Sequence, residues 1–124
     1  MRVGFDARPT SDPRGIGRYA RCLLDALRHT ADGREIVEAA RPRRVDVFHS
    51  PWIDGALVRC SIPQVVTVHD LVPLKRATEY LRTGVRFQLR YLAVRRADRV
   101  IVPTEPVAED VVGTMTRSAR VTAM

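Results

Sequence analysis

The sequence predicts an α/β domain built on a parallel sheet of about five strands with helices on its flanks. Short apolar runs alternate with longer stretches of helical periodicity. The runs are nearly continuous in Val, Ile and Phe, as in strands covered on both faces. Turn formers then mark several junctions, as in "SDPRG" and "HTADGR".

Taken in order, "RVGFDA" (residues 2–7) is a short buried strand running into Asp6. In "DPRGIGRYA" (residues 12–20) two glycines flank Ile16, and Arg18 follows them. Tyr19, Leu23, Leu24 and Leu27 then recur at helical spacing, opposite Arg21, Asp25 and Arg28, and Gly33 is a stop signal. "REIVEAARP" (residues 34–42) reads as a short, weaker helix closed by Pro42. "VDVFHSP" (residues 45–51) is a second strand, and "PWIDGALVRCSIP" is a loop with turn formers at both ends. "QVVTVHDLVP" (residues 64–73) is the clearest strand, rich in β-branched residues. A long helix is expected over residues 78–97, with an apolar stripe of Leu81, Val85, Leu89 and Leu92. "DRVIVPTE" is a fourth strand, "PVAEDVVGTM" opens another helix with Pro106, and "ARVTAM" begins a fifth strand.

A parallel sheet places ligands in the loops at the carboxyl ends of its strands. That rule gathers "ARPTSDPRGIGR", "HSPW", "HDLVP" and "PTE" along one edge.

At 124 residues and 45% hydrophobic, the chain suits one globular domain with a real core and excludes wholesale disorder. No apolar run approaches the roughly 20 residues that span a bilayer. The first residues turn polar too soon for a secretory signal. The expected location is cytoplasmic, with peripheral contact to the inner membrane face left open. Cys22 and Cys60 show no metal-ligand spacing and read as reduced, buried thiols.

The net charge of +7 is carried by arginine, Lys75 being the only lysine. Such an excess favours anionic partners: phosphorylated ligands, acidic lipid surfaces or nucleic acid. No helix-turn-helix, zinc finger or aromatic stacking platform supports nucleic acid. Arg82, Arg86 and Arg90, with Arg95 and Arg96 beyond, read as a solvated helix face. Attachment to lipid headgroups is the alternative, but Tyr80, Phe87 and Tyr91 are better suited to packing than to insertion.

Gly15 and Gly17 can bring backbone N–H groups close to a ligand, at the positive end of a helix and beside Arg18. The stretch lacks the third glycine of the dinucleotide fingerprint and the Gly-Lys-Ser/Thr of a P-loop. The same residues also fit a bare strand-to-helix turn. His69 leaves a buried strand at its carboxyl end, where imidazole could move a proton or orient a hydroxyl. Asp70 could fix its tautomer or cap a turn, and His49 ends another strand. His49, Asp54, His69 and Asp70 match no metal signature. Ser50 precedes Pro51 and lies in no nucleophile elbow.

"RVGFDARPTSDPRGIGRYARCLLDAL", "DVFHSPW", "VVTVHDLVPL" and "RRADRVIVPTEPVAEDVV", in that order, resemble the N-terminal domain of glycosyltransferase family 4. These are the "group 1" retaining enzymes of GT-B architecture, and the resemblance spans nearly the whole chain outside residues 31–44. It implies one of two Rossmann-like domains that face each other across a cleft. Such enzymes move a sugar from a nucleotide-sugar donor to an acceptor hydroxyl with retention, and need no metal or further cofactor. The N-terminal domain mainly binds the acceptor. By this resemblance Gly15, Ile16, Gly17 and Arg18 lie near the donor phosphates, and His69 is the catalytic residue lining the reaction centre. His49, Ser50, Asp70 and Thr104 join the substrate-binding set.

The chain also departs from that pattern. Residues 1–124 make a single Rossmann-like domain, and the donor-binding half would be C-terminal to them. Alone the chain is expected to bind weakly and to catalyse nothing measurable, because leaving-group stabilisation belongs to that half. Family members place two more strands between the first helix and "VDVFHSP". Without them "RVGFDA" would be a sheet edge, open to self-association or covered by "GREIVEAARP". The alternative function is a non-catalytic Rossmann-like module that binds a partner or an anionic surface.

Overall fold

A computed structural model describes residues 1–69, 84–114 and 120–124. The elements are β1 (Arg2–Phe5), α1 (Gly15–His29), β2 (Glu35–Glu38), β3 (Val47–Ser50) and β4 (Gln64–Thr67). They continue with α2 (Gly84–Arg96), β5 (Arg99–Val102), α3 (Glu105–Thr114) and β6 (Val121–Ala123). The strands form one parallel sheet in the order β2-β1-β3-β4-β5-β6. The α/β class is therefore as expected, with six strands rather than about five.

The additional strand corrects the reading of residues 34–42, in which Glu35–Glu38 form β2 and no helix is present. Ile36 and Val37 are half-buried between the exposed Glu35 and Glu38. Two β-branched residues side by side favour a pleated surface over a helix. Arginines from neighbouring elements hold the flanking acids, Arg2 Nε donating to Glu35 at 3.0 Å and Arg28 to Glu38 at 2.7 Å. β1 pairs with β2 on one side and β3 on the other, so it lies inside the sheet and not at an edge. Its covering comes from within "GREIVEAARP". Between α1 and β2 the chain turns through Asp32 and Gly33, both at positive φ.

The main apolar cluster joins Val66, Val68, Val100 and Val102 of the sheet region to Val94 and Ala97 from α2 and its end, and to Val111 of α3. Phe5, Ala20, Leu24 and Phe48 are buried as well, Phe5 and Phe48 on opposite faces of the sheet. In α2 the buried face is Ala93, Val94 and Ala97, while Leu89 is 49% exposed. Of the expected stripe, Leu89 is thus outside the packed face and Leu92 half-buried, since small alanines let a helix lie close to a sheet of valines. Arg90 is not merely solvated either: it pairs with Asp54 at 3.1 Å. Tyr80, Leu81 and Arg82 lie outside the described residues. Cys22 is exposed and Cys60 half-buried, so neither thiol is the core residue expected. Cys22 falls on the solvent side of α1. Among the described residues no helix is long and apolar enough to cross a membrane.

Phe48 is fully buried in the middle of this sheet. Phe48→Ala is expected to cost about 3–5 kcal/mol, read as a lowered urea midpoint with unchanged slope.

Candidate functional site

From β1 the chain moves outward to β2, and from β3 it moves the other way to β4. The strand order therefore reverses at the carboxyl ends of β1 and β3, the switch point at which such sheets form their ligand crevice. Asp6 sits at its base, its N–H donating to the His49 carbonyl at 3.0 Å. The Asp6 carboxylate is fully buried and accepts four hydrogen bonds. Arg8 supplies its N–H at 3.2 Å, Nε at 2.9 Å and Nη2 at 2.8 Å, and Trp52 supplies Nε1 at 2.9 Å. Burial pushes this carboxyl up, and the donors from Arg8 and Trp52 outweigh it, holding it below the usual carboxylate range. Gly55 packs so closely that a Cβ would run into Asp6 Oδ2 and the indole nitrogen.

The segment after β1 is folded on itself before it reaches α1. A short 3-10 turn spans Arg8–Ser11. Asp12 then accepts from the Arg14 N–H at 2.8 Å and binds its guanidinium. From the second turn of α1, Arg21 reaches back to the carbonyls of Thr10 at 2.7 Å and Asp12 at 3.0 Å. Gly15, Ile16, Gly17 and Arg18 all lie in the first turn of α1. No side chain caps this helix, since its N-cap is Arg14, and Gly15 and Arg18 are exposed there. An uncapped first turn is a favourable place for an anion or a hydroxyl oxygen. Gly17 is buried, and a Cβ on it would strike the Asp12 carbonyl oxygen and come within 2.9 Å of that of Pro9. Its glycine is needed for backbone packing against the turn, whereas Gly15 has open space around it.

Two residues beyond Gly17, Tyr19 lays its ring edge-on against His69, with centroids 4.5 Å apart at 80°. His69 follows β4 and is half-buried. Its Nε2 is 2.8 Å from the Pro51 carbonyl, which can only accept, so this nitrogen carries the proton. Nδ1 is then the acceptor of the neutral ring. Beneath this pair, the Thr67 hydroxyl joins the Tyr19 hydroxyl at 3.1 Å to His49 Nε2 at 3.0 Å. Burial alone lowers His49 to about 4, so it is neutral at pH 7. Burial likewise raises the Tyr19 phenol.

The model of glycosyltransferase family 4 matches residues 5–123. The chain belongs to glycosyltransferase family 4. Its function is accordingly glycosyltransferase-related. No curated protein matches the chain.

Within this family 4 domain the structure brings the Gly15–Arg18 turn and His69 to the same end of the sheet, through Tyr19. His49 and Ser50 are in the interior of that end. His49 is 7% exposed, and the Ser50 hydroxyl, fully buried, donates to the Trp52 carbonyl at 2.7 Å. Thr104 is exposed just before α3, where its carbonyl accepts from Ala108. Asp70 lies outside the described residues. Sequence reasoning missed Arg8, Tyr19, Trp52 and Thr67 as members of this site. The one tryptophan beside a strand end, and an aspartate closing a buried strand, were the available signals; Tyr19 looked like part of the helix's apolar stripe. Among the described residues no cluster of His, Cys, Asp and Glu could hold a metal ion.

Two outcomes follow from this geometry. Gly17→Val should destabilise by at least about 1–3 kcal/mol through the clash with Asp12, while Gly15→Ala should be neutral or stabilise by up to about 1 kcal/mol. Thermal melts of the two variants separate backbone packing from helix propensity. The second outcome concerns pH. His49 binds its proton less readily folded than unfolded, so stability is full above its ordinary value of 6.5 and falls as pH drops towards about 4. The loss is on the order of 3 kcal/mol and should be missing from His49→Gln in urea titrations across that window. Asp6, whose pKa is depressed, weakens the fold only at lower pH, as its carboxylate is titrated.

Proposed function

We propose that this domain is the acceptor-binding half of a retaining GT-B glycosyltransferase. It would present an acceptor hydroxyl to a nucleotide-sugar held by a second Rossmann-like domain. The observation that carries this reading is the contact of Tyr19 with His69, which sets the uncapped turn of α1 beside an imidazole at the switch-point crevice. The chemistry needs a group that orients the acceptor oxygen and donors that face the departing phosphate.

In this reading His69 is the catalytic residue. Its Nε2–H is spent on Pro51, which leaves Nδ1 as the acceptor for a substrate hydroxyl. Tyr19 is a positioning residue that fixes the plane of the imidazole. The first turn, Gly15 to Arg18, faces the donor phosphate and sugar, and Arg18 adds a charge there. Buried His49 and Ser50 support the rim from within, and Thr104 and Asp70 extend the acceptor side. The reaction proceeds in the cytoplasm without a metal or a further cofactor.

His69→Ala should cut kcat roughly a hundredfold or more in a transfer assay with the donor-binding half present, with an unchanged circular dichroism spectrum. Tyr19→Phe keeps the ring and should retain far more activity than Tyr19→Ala. Unchanged turnover in His69→Ala would remove the imidazole from the mechanism.

A further inference from the structure

At the amino ends of the strands, opposite the crevice, lies a cleft of about 780 Å³ lined by Arg41, Arg43, Arg59 and Arg96. These four come from the segments that precede β3 and β4 and from the end of α2. All four are exposed, and none of their guanidiniums meets an acceptor among the described residues. Elsewhere Arg2, Arg8, Arg14, Arg28 and Arg90 each hold a carboxylate. Four guanidiniums with no carboxylate partner among the described residues thus line one cleft, and their like charge favours an anion there.

The walls of the cleft are built, not incidental. Gln64, 2% exposed, clamps the segment that carries Arg59: its Nε2 donates to the Leu57 carbonyl at 3.0 Å, and its Oε1 accepts from the Leu57 N–H at 2.8 Å. On the other side, Arg44, between Arg43 and β3, adopts a left-handed φ of 54° that only a few non-glycine residues take. Among the described lining residues Asp98 is the one acid, and its carboxylate accepts from the Gln64 N–H at 2.8 Å. Leu57 and Val58 give the cleft an apolar wall beside its cationic one.

From this we infer that the cleft is a second binding site, for an organic phosphate or diphosphate. Guanidiniums pair with phosphate oxygens in a bidentate manner, and the apolar wall suits the organic group that bears the phosphate. The volume falls in the range of small-ligand sites, about 300–1,000 Å³, so the site takes a compact headgroup-sized anion. It is remote from His69 and stands independently of the sugar-transfer reading.

Calorimetric titration of the chain with inorganic pyrophosphate tests it. Binding weakened roughly tenfold or more in Arg43→Ala/Arg59→Ala is expected, because two charge-assisted contacts are lost. Neither side chain has a partner among the described residues, so that variant should melt as wild type does. Arg28→Ala/Arg34→Ala, which removes equal charge outside the cleft, should bind as wild type does. Sedimentation with vesicles of phosphatidic acid in phosphatidylcholine then tells the source. Vesicle binding that pyrophosphate competes away means a lipid headgroup, and pyrophosphate binding without it means a soluble ligand. The inference is overturned if wild type ignores millimolar pyrophosphate. It is equally overturned if the cleft variant binds as tightly as wild type, or if the control variant loses as much.

Discussion

The Asp6 carboxylate is the knot of the rim. It is wholly buried and would be costly there unpaired, so the chain surrounds it with donors from two different loops. Arg8 ties in the turn that precedes α1, and Trp52 ties in the loop that follows β3. Pro51, beside that tryptophan, holds His69 by its carbonyl, and His69 packs on Tyr19 of α1. The path closes on itself: strand end, loop, imidazole, helix and turn. A parallel sheet only delivers strand ends to a common edge. This circuit of contacts is what makes that edge a shaped site.

Packing at the rim also explains the glycines. Arg21 pulls the carbonyls of Thr10 and Asp12 against the start of α1, and only Gly17 leaves room for the Asp12 oxygen. The close approach that the glycine-rich stretch suggested is therefore real, but at Gly17 the partner is the protein's own backbone. Gly15, with open space around it, is the glycine that a ligand can approach.

Much of the architecture was legible because buried parallel strands are written as short Val/Ile runs; β3, β4 and β5 stand out in this way. β2 did not. Its Ile36 and Val37 are only half-buried, its ends are glutamates, and the alanines after it are strong helix formers. An edge strand needs so little apolar surface that local pattern cannot separate it from a weak helix. His69 and the Gly15–Arg18 turn could be found because they lie next to strands in sequence. Tyr19 and Thr67 could not, since they meet each other across 48 residues and Thr67 meets His49 on another strand. Leu89 misled for a related reason: the sheet accepts Ala93 and Ala97 closely and leaves that leucine outside.

The claim on which the rest turns is that α1 and the end of β4 are locked together by two aromatic rings. Nuclear Overhauser spectra of the chain test this most directly. Strong cross-peaks between the Tyr19 and His69 ring protons are expected. Their absence from a folded sample would put the helix turn and the imidazole apart, and would contradict the account.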